Sequence, residues 1–322
     1  MSVPKEVKMK SCLKILASTF AYRHFRKDMP VKEVAGKLYA NVPASWIERM
    51  FPHWFAAKYY DKKGQYIATP TTFCRYSPSY VLTNENMRGV VQVQALKPAN
   101  MRVLTCGGSG DQEKWFAAYG AKSVDSFDIS YCSRIVTEIK DAAMQTFDFD
   151  GFTDFIRTLG AKQGRIQDLP EYEKIKHRLS RRVIKFMRSQ KNKCFCNNRG
   201  TIEVCFPERH EFNKMQIRPT NGKFIWSDLE NLHKKLRGEY DIIYLSNIFK
   251  YISDEKVITS ILYRLATQHL TPLGKIAVIN SITINSEKYK MAINALKKLG
   301  EFKEIKCGID TMLVFEKKIK SK

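Results

Sequence analysis

The sequence has no long hydrophobic run: none reaches the roughly 18 residues that a membrane-spanning helix needs. The first 27 residues also lack the features of a secretory signal peptide. Their apolar stretch is short, and Tyr22, Arg23 and His24 stand where small residues should precede a cleavage site. These absences predict an intracellular, cytoplasmic protein without a transmembrane segment.

A regular disulfide framework is also absent. The 8 cysteines of the 322 residues show no regular spacing, which favours reduced thiols. Cys194, Cys196, Cys205 and His210 lie within 17 residues and include the ligand types that zinc prefers. Their spacing is uncommon for zinc, so buried, reduced cysteines in a pair of strands are the alternative interpretation.

Acidic residues are scarce relative to basic ones. The chain has 55 Lys and Arg against 32 Asp and Glu, a formal net charge of +23. A charge of this size predicts an anionic partner: nucleic acid, a membrane surface or a phosphorylated small molecule. A general solubility feature is the alternative, because net charge governs association rather than fold.

The segment 174–193 concentrates this positive charge, with nine Lys or Arg and no acid. Its apolar residues have the spacing of one helix face: Ile175, Leu179, Val183 and Met187. We expect a basic helix that contacts phosphates or binds peripherally to an anionic membrane surface. A solvated helix that packs its apolar face on the core is the alternative.

The chain divides by pattern into two regions, without internal repeats. Residues 1–95 predict a mostly helical N-terminal region, with an aromatic helix in "SWIERMFPHWFAAKYY" and a loop at 69–86. Residues 96–322 predict an α/β domain that carries a basic insertion at 151–221. Apolar residues make up 44% of the chain, which is enough for a hydrophobic core.

Strand and helix patterns alternate through this second region. The strands are predicted in "MRVLTC", "SVDSFDIS", "GKFIWSD", "YDIIYLSN" and "IAVINS", with a closing strand pair in "KEIKCGIDTMLVFEKK". The helices are predicted in "DQEKWFAAYGA", "RIVTEIKDAAMQTF", "LENLHKKLRG" and "EKVITSILYRLATQHL", and a turn in "TPLGK". This alternation indicates parallel βαβ units, and therefore a mostly parallel sheet with helices on both faces.

A glycine-rich turn, C-G-G-S-G-D, follows the first of these strands. Glycines between a strand and a helix N-terminus let the backbone approach a polar or anionic ligand. Asp128 ends the next strand, 18 residues after Gly110, close to the offset at which an acid can bind a ribose. A tight strand-to-helix turn without a ligand is the alternative interpretation.

Two later strand ends also carry polar residues. Asp228 follows the third predicted strand, where it could meet an adenine amino group or simply cap the helix that begins at Leu229. Ser246 and Asn247 end the fourth strand. Ligands of open α/β sheets bind at the carboxyl ends of strands, so these residues predict one shared site.

Together these features resemble the Rossmann-like S-adenosylmethionine-dependent transferases. The segment "TPLGKIAVINS", with Gly274 in its turn, resembles the corresponding part of those proteins. The turn does not have the G-x-G-x-x-G pattern of nicotinamide dehydrogenases. It also departs from the usual methyltransferase turn: Thr105 stands where an acid is frequent, and Ser109 and Asp111 where glycines are usual.

A narrower resemblance accommodates these departures. "VLTCGGSGDQ", "SFDISYCSRIVTEIKDAAMQTFDFDGFTDFI" and "YLSNIFKYISDEKVITSILYRLATQHLTPLGKI" are similar to the 3-amino-3-carboxypropyl transferases that make diacylglyceryl homoserine for betaine lipids. The resemblance covers roughly 80–160 and 222–280. It implies that the methionine part of S-adenosylmethionine binds at Gly107, Gly108, Ser109, Gly110 and Asp111, after Thr105. It further implies Asp128 at the ribose, Asp228 near the adenine, and Ser246 and Asn247 facing the sulfonium or the acceptor.

The resemblance leaves the transferred group open. Attack at the methyl carbon of the sulfonium gives methyl transfer, whereas attack at the methylene of the amino acid arm gives 3-amino-3-carboxypropyl transfer, our preferred reaction. The acceptor is expected to be anionic or lipid-like, with Tyr251, Asp254, Tyr76 and Arg75 as possible acceptor-side residues. The alternatives are a methyltransferase on a small molecule or RNA, and a non-catalytic nucleic-acid-binding protein on a degenerate cofactor fold.

Two sequence features bear on the methyltransferase alternative. The fourth strand end has "SNIF" in place of the P-P-aromatic tetrad of amino-group DNA methyltransferases, and the chain has no Pro-Cys pair. Both features disfavour methylation of DNA bases.

Overall fold

The structure is a computed structural model that describes residues 79–317 apart from 162–165, 190–194, 197–204, 253, 281–285 and 309. Most of the predicted N-terminal region, and with it Arg75 and Tyr76, lies outside these residues. In the described part the strands are β1 (Ser79–Tyr80), β2 (Arg102–Cys106), β3 (Ser123–Asp128), β4 (Phe195–Cys196), β5 (Phe224–Trp226), β6 (Tyr240–Tyr244), β7 (Leu270–Asn280), β8 (Phe302–Cys307) and β9 (Asp310–Glu316).

The helices of the described part alternate with these strands. They are α1 (Met87–Gln92), α2 (Asp111–Ala118), α3 (Tyr131–Met144), α4 (Phe149–Ala161), α5 (Pro170–Ile175), α6 (Arg181–Ser189), α7 (Arg209–Ile217), α8 (Leu229–Leu232), α9 (Glu255–Gln268) and α10 (Ser286–Leu299). None of the helices described has both the length and the apolar composition required to cross a membrane.

Seven of the strands form one sheet in the order β5-β3-β2-β6-β7-β9-β8. All neighbouring pairs are parallel except those that β9 makes with β7 and β8. This confirms the predicted Rossmann-like, methyltransferase-type α/β fold. The strand order reverses between β2 and β6, so their carboxyl ends border the crevice at which ligands of such sheets bind.

Two hydrophobic clusters cover the two faces of the sheet. On one face α1, α2, α3 and the insertion helices contribute buried side chains such as Val90, Phe116 and Ile135. On the other face α8, α9 and α10 contribute Leu232, Leu262, Leu296 and their neighbours. Helical spacing of apolar residues in α3 and α9 predicted this arrangement, because such spacing places one apolar stripe against the sheet.

Side-chain caps explain where the two long helices α3 and α9 begin. Ser130 precedes α3, and its hydroxyl accepts a hydrogen bond from the backbone N–H of Cys132 (3.1 Å). Asp254 precedes α9 and accepts from the N–H of Lys256 (2.8 Å). Each cap satisfies a donor that the helix itself leaves unpaired.

Several predicted elements are corrected by the structure. The helix predicted over 229–238 ends at Leu232. The "TPLGK" turn is a break in register inside β7: Tyr240 pairs with Leu270, but Ile242 pairs with Lys275. Helix α10 was not predicted. Residues 79–95 were predicted as part of the N-terminal region, whereas Val90 and Val91 belong to the main core.

Candidate functional site

The glycine turn is close-packed against the elements that follow β3. The N–H of Gly107 donates to the carbonyl of Phe127 (2.7 Å), and the N–H of Gly110 donates to that of Gly107 (2.6 Å). A Cβ on Gly107 would lie 2.7 Å from the Ser133 hydroxyl. Gly110 has φ +79°, and a Cβ there would lie 3.0 Å from the Cα of Thr137. Both positions therefore require glycine.

Asp128 is fixed beside this turn, as its sequence offset predicts. Its carboxylate accepts hydrogen bonds from the backbone N–H groups of Gly108 (2.9 Å) and Ser130 (2.7 Å). Burial raises the pKa of Asp128 to about 6, and these backbone donors oppose that rise. The acid and the glycine turn thus form one rigid unit at the adjacent ends of β2 and β3.

The carboxylate of Asp111, which the resemblance implies at the ligand, has its hydrogen-bond partners inside the protein. One carboxylate oxygen pairs with the ammonium of Lys140. The other accepts from the N–H of Thr83 and the hydroxyl of Ser109, each at 2.7 Å. Both carboxylate oxygens therefore have partners inside the protein, and the hydroxyl of Ser109 is one of them. These contacts hold the turn, and a contact of either residue with a ligand stays a prediction.

Lys140 lies beneath the turn and is almost fully buried. Besides Asp111, its ammonium donates to the carbonyls of Val81 (2.9 Å) and Ser109 (3.1 Å). Its three N–H groups therefore each have an acceptor. Burial lowers the pKa of Lys140, and the adjacent carboxylate of Asp111 opposes this. Lys140 was not predicted as a site residue, because a lysine inside an amphipathic helix is normally solvated.

Ser246 and Asn247 lie at the end of β6, where they were predicted, and both are buried. Ser246 has a positive φ of 54°, which is uncommon for a residue with a side chain. Its carbonyl accepts from the N–H of Ile279 (3.0 Å), and its hydroxyl donates to the carboxyl of Glu85. Backbone strain of this kind, held by specific hydrogen bonds, is typical of functional sites.

Glu85, which was not predicted as a site residue, lies next to Ser246. Its carboxyl accepts from the hydroxyls of Tyr244 (2.9 Å) and Ser246, and from the side-chain amide of Gln112 (3.4 Å). Burial raises its pKa, and these hydrogen bonds oppose the rise. The sequence predicted only a loop at 69–86, and no motif marked the acid within it.

Tyr251 lies in a short 3₁₀ turn, Ile248–Tyr251, and its side chain is exposed. Its phenol is hydrogen-bonded to Tyr80 and lies within electrostatic range of Asp128. Burial of its hydroxyl end and these neighbours raise its pKa, so the phenol remains protonated at neutral pH. The phenol therefore cannot serve as a base at the crevice.

Thr105 and Asp228 have structural partners. The hydroxyl of Thr105, buried in β2, contacts the carbonyl of Cys106 at 3.4 Å. Asp228 caps α8, because its Oδ1 accepts from the backbone N–H (2.7 Å) and the side-chain amide (2.9 Å) of Asn231. Both of these bonds fall on Oδ1, so capping does not preclude a ligand contact at Oδ2.

The basic segment is not one helix. Helix α5 ends at Ile175, near the start of the segment, and a 3₁₀ turn follows at Lys176–Arg178. Helix α6 then begins at Arg181. The N–H of Ser180, in the break, donates to the carboxylate of Glu138 on α3. The apolar residues predicted to share one face are nevertheless all buried: Ile175, Leu179, Val183 and Met187.

Helix α6 packs beside the crevice. The ring of Phe186 lies 5.4 Å from that of Tyr131, which in turn lies 5.2 Å from Trp226. The indole N–H of Trp226 donates to the carbonyl of Ile129, the residue after Asp128 (2.8 Å). The solvent-facing side of α6, here termed the basic surface, has no acid and consists of Arg181, Arg182, Lys185 and Arg188.

Of the four residues predicted as zinc ligands, Cys194 and the side chain of Cys196 lie outside the described residues. Burial raises the pKa of Cys205 to about 12, which opposes the thiolate form that binds metals. His210 is exposed and lies 3.4 Å from Glu208. Among the residues that the structure describes, no three His, Cys, Asp or Glu are grouped to hold a metal ion.

A cavity of about 540 Å³ lies away from the crevice. The guanidinium of Arg209 stacks on Phe149 and pairs with Asp150 (2.8 Å), and that of Arg88 pairs with Glu208 (3.0 Å). None of the site residues predicted from the sequence lines this cavity. The lining residues are Arg88, Phe149, Asp150, Thr153, Asp154, Arg157, Phe206, Pro207, Glu208 and Arg209.

Comparison with known proteins gives similarity to solved structures alone. The chain matches no protein-family model, and no curated protein matches it. The ribosomal protein L11 methylase of Lactobacillus delbrueckii subsp. bulgaricus is 15% identical, with a TM-score of 0.37 over 73% of this chain and 77% of that one. An rRNA methylase of Streptococcus thermophilus is 11% identical, with a TM-score of 0.34 over 70% and 92%.

A third similar structure is the N-methyltransferase NodS of Bradyrhizobium japonicum in complex with S-adenosyl-L-homocysteine. It is 10% identical, with a TM-score of 0.35 over 71% of this chain and 85% of that one. Similarities at this level establish neither an activity nor a ligand. The fold assignment therefore depends on the order and direction of the strands.

Proposed function

We propose that the chain is an S-adenosylmethionine-dependent transferase. The observation that supports this most directly is the hydrogen bond from the Gly108 N–H to the Asp128 carboxylate. It joins a glycine turn and an acid at the ends of β2 and β3, beside the position where the strand order reverses. A nucleoside-containing ligand is the class that such an arrangement recognises.

The residues of the crevice fit the parts of S-adenosylmethionine. Asp128 would accept hydrogen bonds from the ribose hydroxyls, and the backbone of Gly107, Gly108 and Gly110 would border the amino acid arm. Asp228 would use its Oδ2 for the adenine amino group while Oδ1 caps α8. Asp111, Ser109 and Thr105 would support the turn from inside rather than contact the ligand.

The acceptor side would be formed by Ser246, Asn247 and Tyr251. Tyr251 would donate a hydrogen bond, since its raised pKa keeps the phenol protonated. Ser246 would keep its hydroxyl directed at Glu85 and offer its remaining lone pairs. These residues would place the acceptor atom in line with one carbon of the sulfonium, at about 3–3.5 Å.

Within this class, the sequence resemblance favours transfer of the 3-amino-3-carboxypropyl group, and methyl transfer is the alternative. When bound beside Asp128 and the glycine turn, S-adenosylmethionine would supply an electrophilic methylene carbon to an acceptor oxygen or nitrogen held by Ser246, Asn247 and Tyr251. The carbon–sulfur bond would break with its electron pair remaining on sulfur, methylthioadenosine would leave, and the acceptor would lose its proton to solvent or a base.

The acceptor would be anionic. The basic surface lies on α6. This helix lies beside the crevice, because its Phe186 contacts Tyr131 at the start of α3. Phosphate groups of a lipid headgroup, an RNA or a small molecule would be attracted to this surface. It would thereby concentrate the acceptor at the edge of the sheet where Ser246 and Tyr251 lie.

The released nucleoside product tests this proposal. We would incubate the protein and S-adenosylmethionine with anionic lipid, RNA or phosphorylated small molecules, and separate the products by chromatography. Methylthioadenosine would support 3-amino-3-carboxypropyl transfer, whereas S-adenosylhomocysteine would support methyl transfer. Failure of the protein to bind S-adenosylmethionine in calorimetry, together with tight RNA binding, would favour the non-catalytic alternative.

A further inference from the structure

Among the residues that the structure describes, Glu85 is a buried acid without a basic partner. Its hydrogen bonds come from two hydroxyls and one amide, of Tyr244, Ser246 and Gln112, and none of the described ion pairs includes it. The charged group that acts on it, Asp310, is a second acid. A carboxylate in such surroundings is unfavourable unless a cation joins it or it takes up a proton.

Gln112 supplies a second, independent observation. Its side chain is 4% exposed, and its Oε1 has no hydrogen-bond partner although it is buried. The amide nitrogen donates to the Thr83 hydroxyl (3.3 Å) and to the Glu85 carboxyl (3.4 Å). These two contacts identify the other amide atom as the oxygen. A buried acceptor without a partner is available to a donor from outside the protein.

This amide lies over the glycine turn. A Cβ on Gly108 would find the two amide atoms of Gln112 at 3.8 Å, an ordinary contact distance, and nothing nearer. The space above Gly108 is therefore open as far as Gln112. Glu85 lies behind it, held to β6 through Ser246. Glu85 and Gln112 therefore lie together beside the ends of β2 and β6.

We propose that Glu85 and Oε1 of Gln112 form the binding site for a primary ammonium group, that of the amino acid arm of S-adenosylmethionine. This inference rests on the proposed function. An ammonium carries three donors and one positive charge, which matches an amide oxygen and a carboxylate. It supplies both the donor that Gln112 lacks and the cation that Glu85 lacks.

The site also accounts for a departure in the sequence. Thr105 stands on β2 where similar transferases often have an acid, and its buried hydroxyl contacts the carbonyl of Cys106. Glu85 brings an acid to the same end of the sheet from the segment that precedes β2. The acid of the site is thus supplied from outside the strand that carries the turn.

Three ligands and two variants test this assignment by calorimetry. The ligands are S-adenosylmethionine, its 2-oxo analogue that lacks the ammonium, and methylthioadenosine that lacks the whole arm. For Glu85→Gln we expect affinity for S-adenosylmethionine to fall by roughly 10- to 100-fold, the effect of losing a charge-assisted hydrogen bond. Affinity for the other two ligands should stay within about twofold of wild type, because neither presents an ammonium.

Gln112→Met is the second variant, and it retains the acid while removing the unpaired amide oxygen. It should weaken binding of S-adenosylmethionine and leave that of the 2-oxo analogue unchanged. If circular dichroism shows that Glu85→Gln does not fold, Gln112→Met alone tests the ammonium site. Gln92→Met on the exposed side of α1 is the matched control, because it removes an amide that donates to Tyr119.

The outcomes separate the two proposals. Wild-type affinity of a folded Glu85→Gln or Gln112→Met variant for S-adenosylmethionine would overturn the ammonium site and leave the proposed function intact. An equal loss for all three ligands would also overturn it, since the effect would then be a general distortion of the crevice. A wild-type protein that binds none of the three would overturn the proposed function and this site with it.

Discussion

Lys140 and Asp111 form an ion pair directly beneath the glycine turn, with 1% and 10% of their side chains exposed. The pair links α3 to the first residue of α2. Because the ammonium also donates to the carbonyls of Val81 and Ser109, one buried charge joins the glycine turn to the segment that precedes α1.

Loss of this cation should therefore destabilise the protein strongly. Lys140→Met leaves the carboxylate of Asp111 buried without its counter-ion, and we expect the free energy of unfolding to fall by about 3–5 kcal/mol. Urea denaturation measures this. Lys256→Met, on the exposed side of α9, should change it by no more than about 0.5 kcal/mol.

A double variant separates charge from packing. In Lys140→Met with Asp111→Asn no uncompensated charge remains, so part of the lost stability should return. If the double variant is as unstable as the sum of the two single variants, packing around the lysine chain dominates and the interpretation as an ion pair is wrong.

Gly110→Ala should be destabilising for a different reason. The residue has φ +79°, and the added Cβ would lie 3.0 Å from the Cα of Thr137. We expect a loss of about 1–3 kcal/mol in thermal or urea unfolding. Gly160→Ala is the matched control, because a Cβ there meets nothing within 4 Å on helix α4. Its stability should equal or exceed that of the wild type.

Asp128→Asn should weaken S-adenosylmethionine binding by at least about tenfold, because an amide accepts through one atom and carries no charge. Calorimetry measures the affinity. Asp148→Asn makes the same chemical change before α4, where the exposed carboxylate accepts from the N–H of Gly151 (2.9 Å), and should leave the affinity within about twofold. Equal losses in both variants would indicate that Asp128 acts through stability and not through the ligand.

The buried carboxyl of Glu113 should make the free energy of unfolding depend on pH. Its carboxyl is buried on α2 with Asp141 nearby, and burial raises its pKa from an ordinary value of 4.5 to about 7. Between these two values the unfolded chain has released the proton and the folded protein retains it. Stability from this group is therefore lost as the pH rises from about 4.5 to about 7, by about 3 kcal/mol.

The variant Glu113→Gln isolates this effect. Relative to the wild type it should gain stability as the pH rises through that range, since its amide does not titrate. Urea unfolding at several pH values gives the difference between the two proteins and removes the parallel contribution of Asp128, whose pKa is about 6. A difference that stays constant from pH 4.5 to 8 would contradict the assignment.

The basic surface predicts a salt-dependent interaction. Arg181→Glu with Lys185→Glu should weaken binding to an anionic partner by about tenfold or more and flatten its salt dependence, because fewer counter-ions are released. RNA and vesicles of phosphatidylglycerol serve as the two probes. Lys303→Glu with Lys306→Glu, exposed on the far edge strand β8, makes the same change in charge. If both double variants weaken binding equally, net charge and not this surface is responsible.

The fold was predictable because its signals are local. Helical spacing in α3 and α9, short apolar strands and the glycine turn each depend on neighbouring residues, and together they indicated the parallel sheet. Helix α8 was overestimated, because a good N-cap at Asp228 and a helical composition do not show where a helix ends. The basic segment was predicted as one helix, because its break at Ser180 depends on Glu138, 42 residues away.

The candidate site was only partly predictable for the same reason. Gly108 and Asp128 could be paired from their offset, since consecutive parallel strands end at one edge. Glu85, Gln112 and Lys140 acquire their importance from contacts across 27 residues or more of sequence. Asp111 was assigned to the ligand because its position in the turn is visible in the sequence, whereas its buried lysine partner is not.

The short stretch before α1 connects elements that lie far apart in the sequence but meet at the carboxyl ends of the parallel strands. Thr83 bonds to Asp111, Glu85 to Ser246, and the N–H of Asn86 to Asp310, 224 residues further along the chain (2.9 Å). During synthesis on the ribosome the glycine turn and Asp128 would emerge early, yet this edge would stay incomplete until β9 had left the exit tunnel. The protein could then acquire a complete crevice only after translation had passed Asp310.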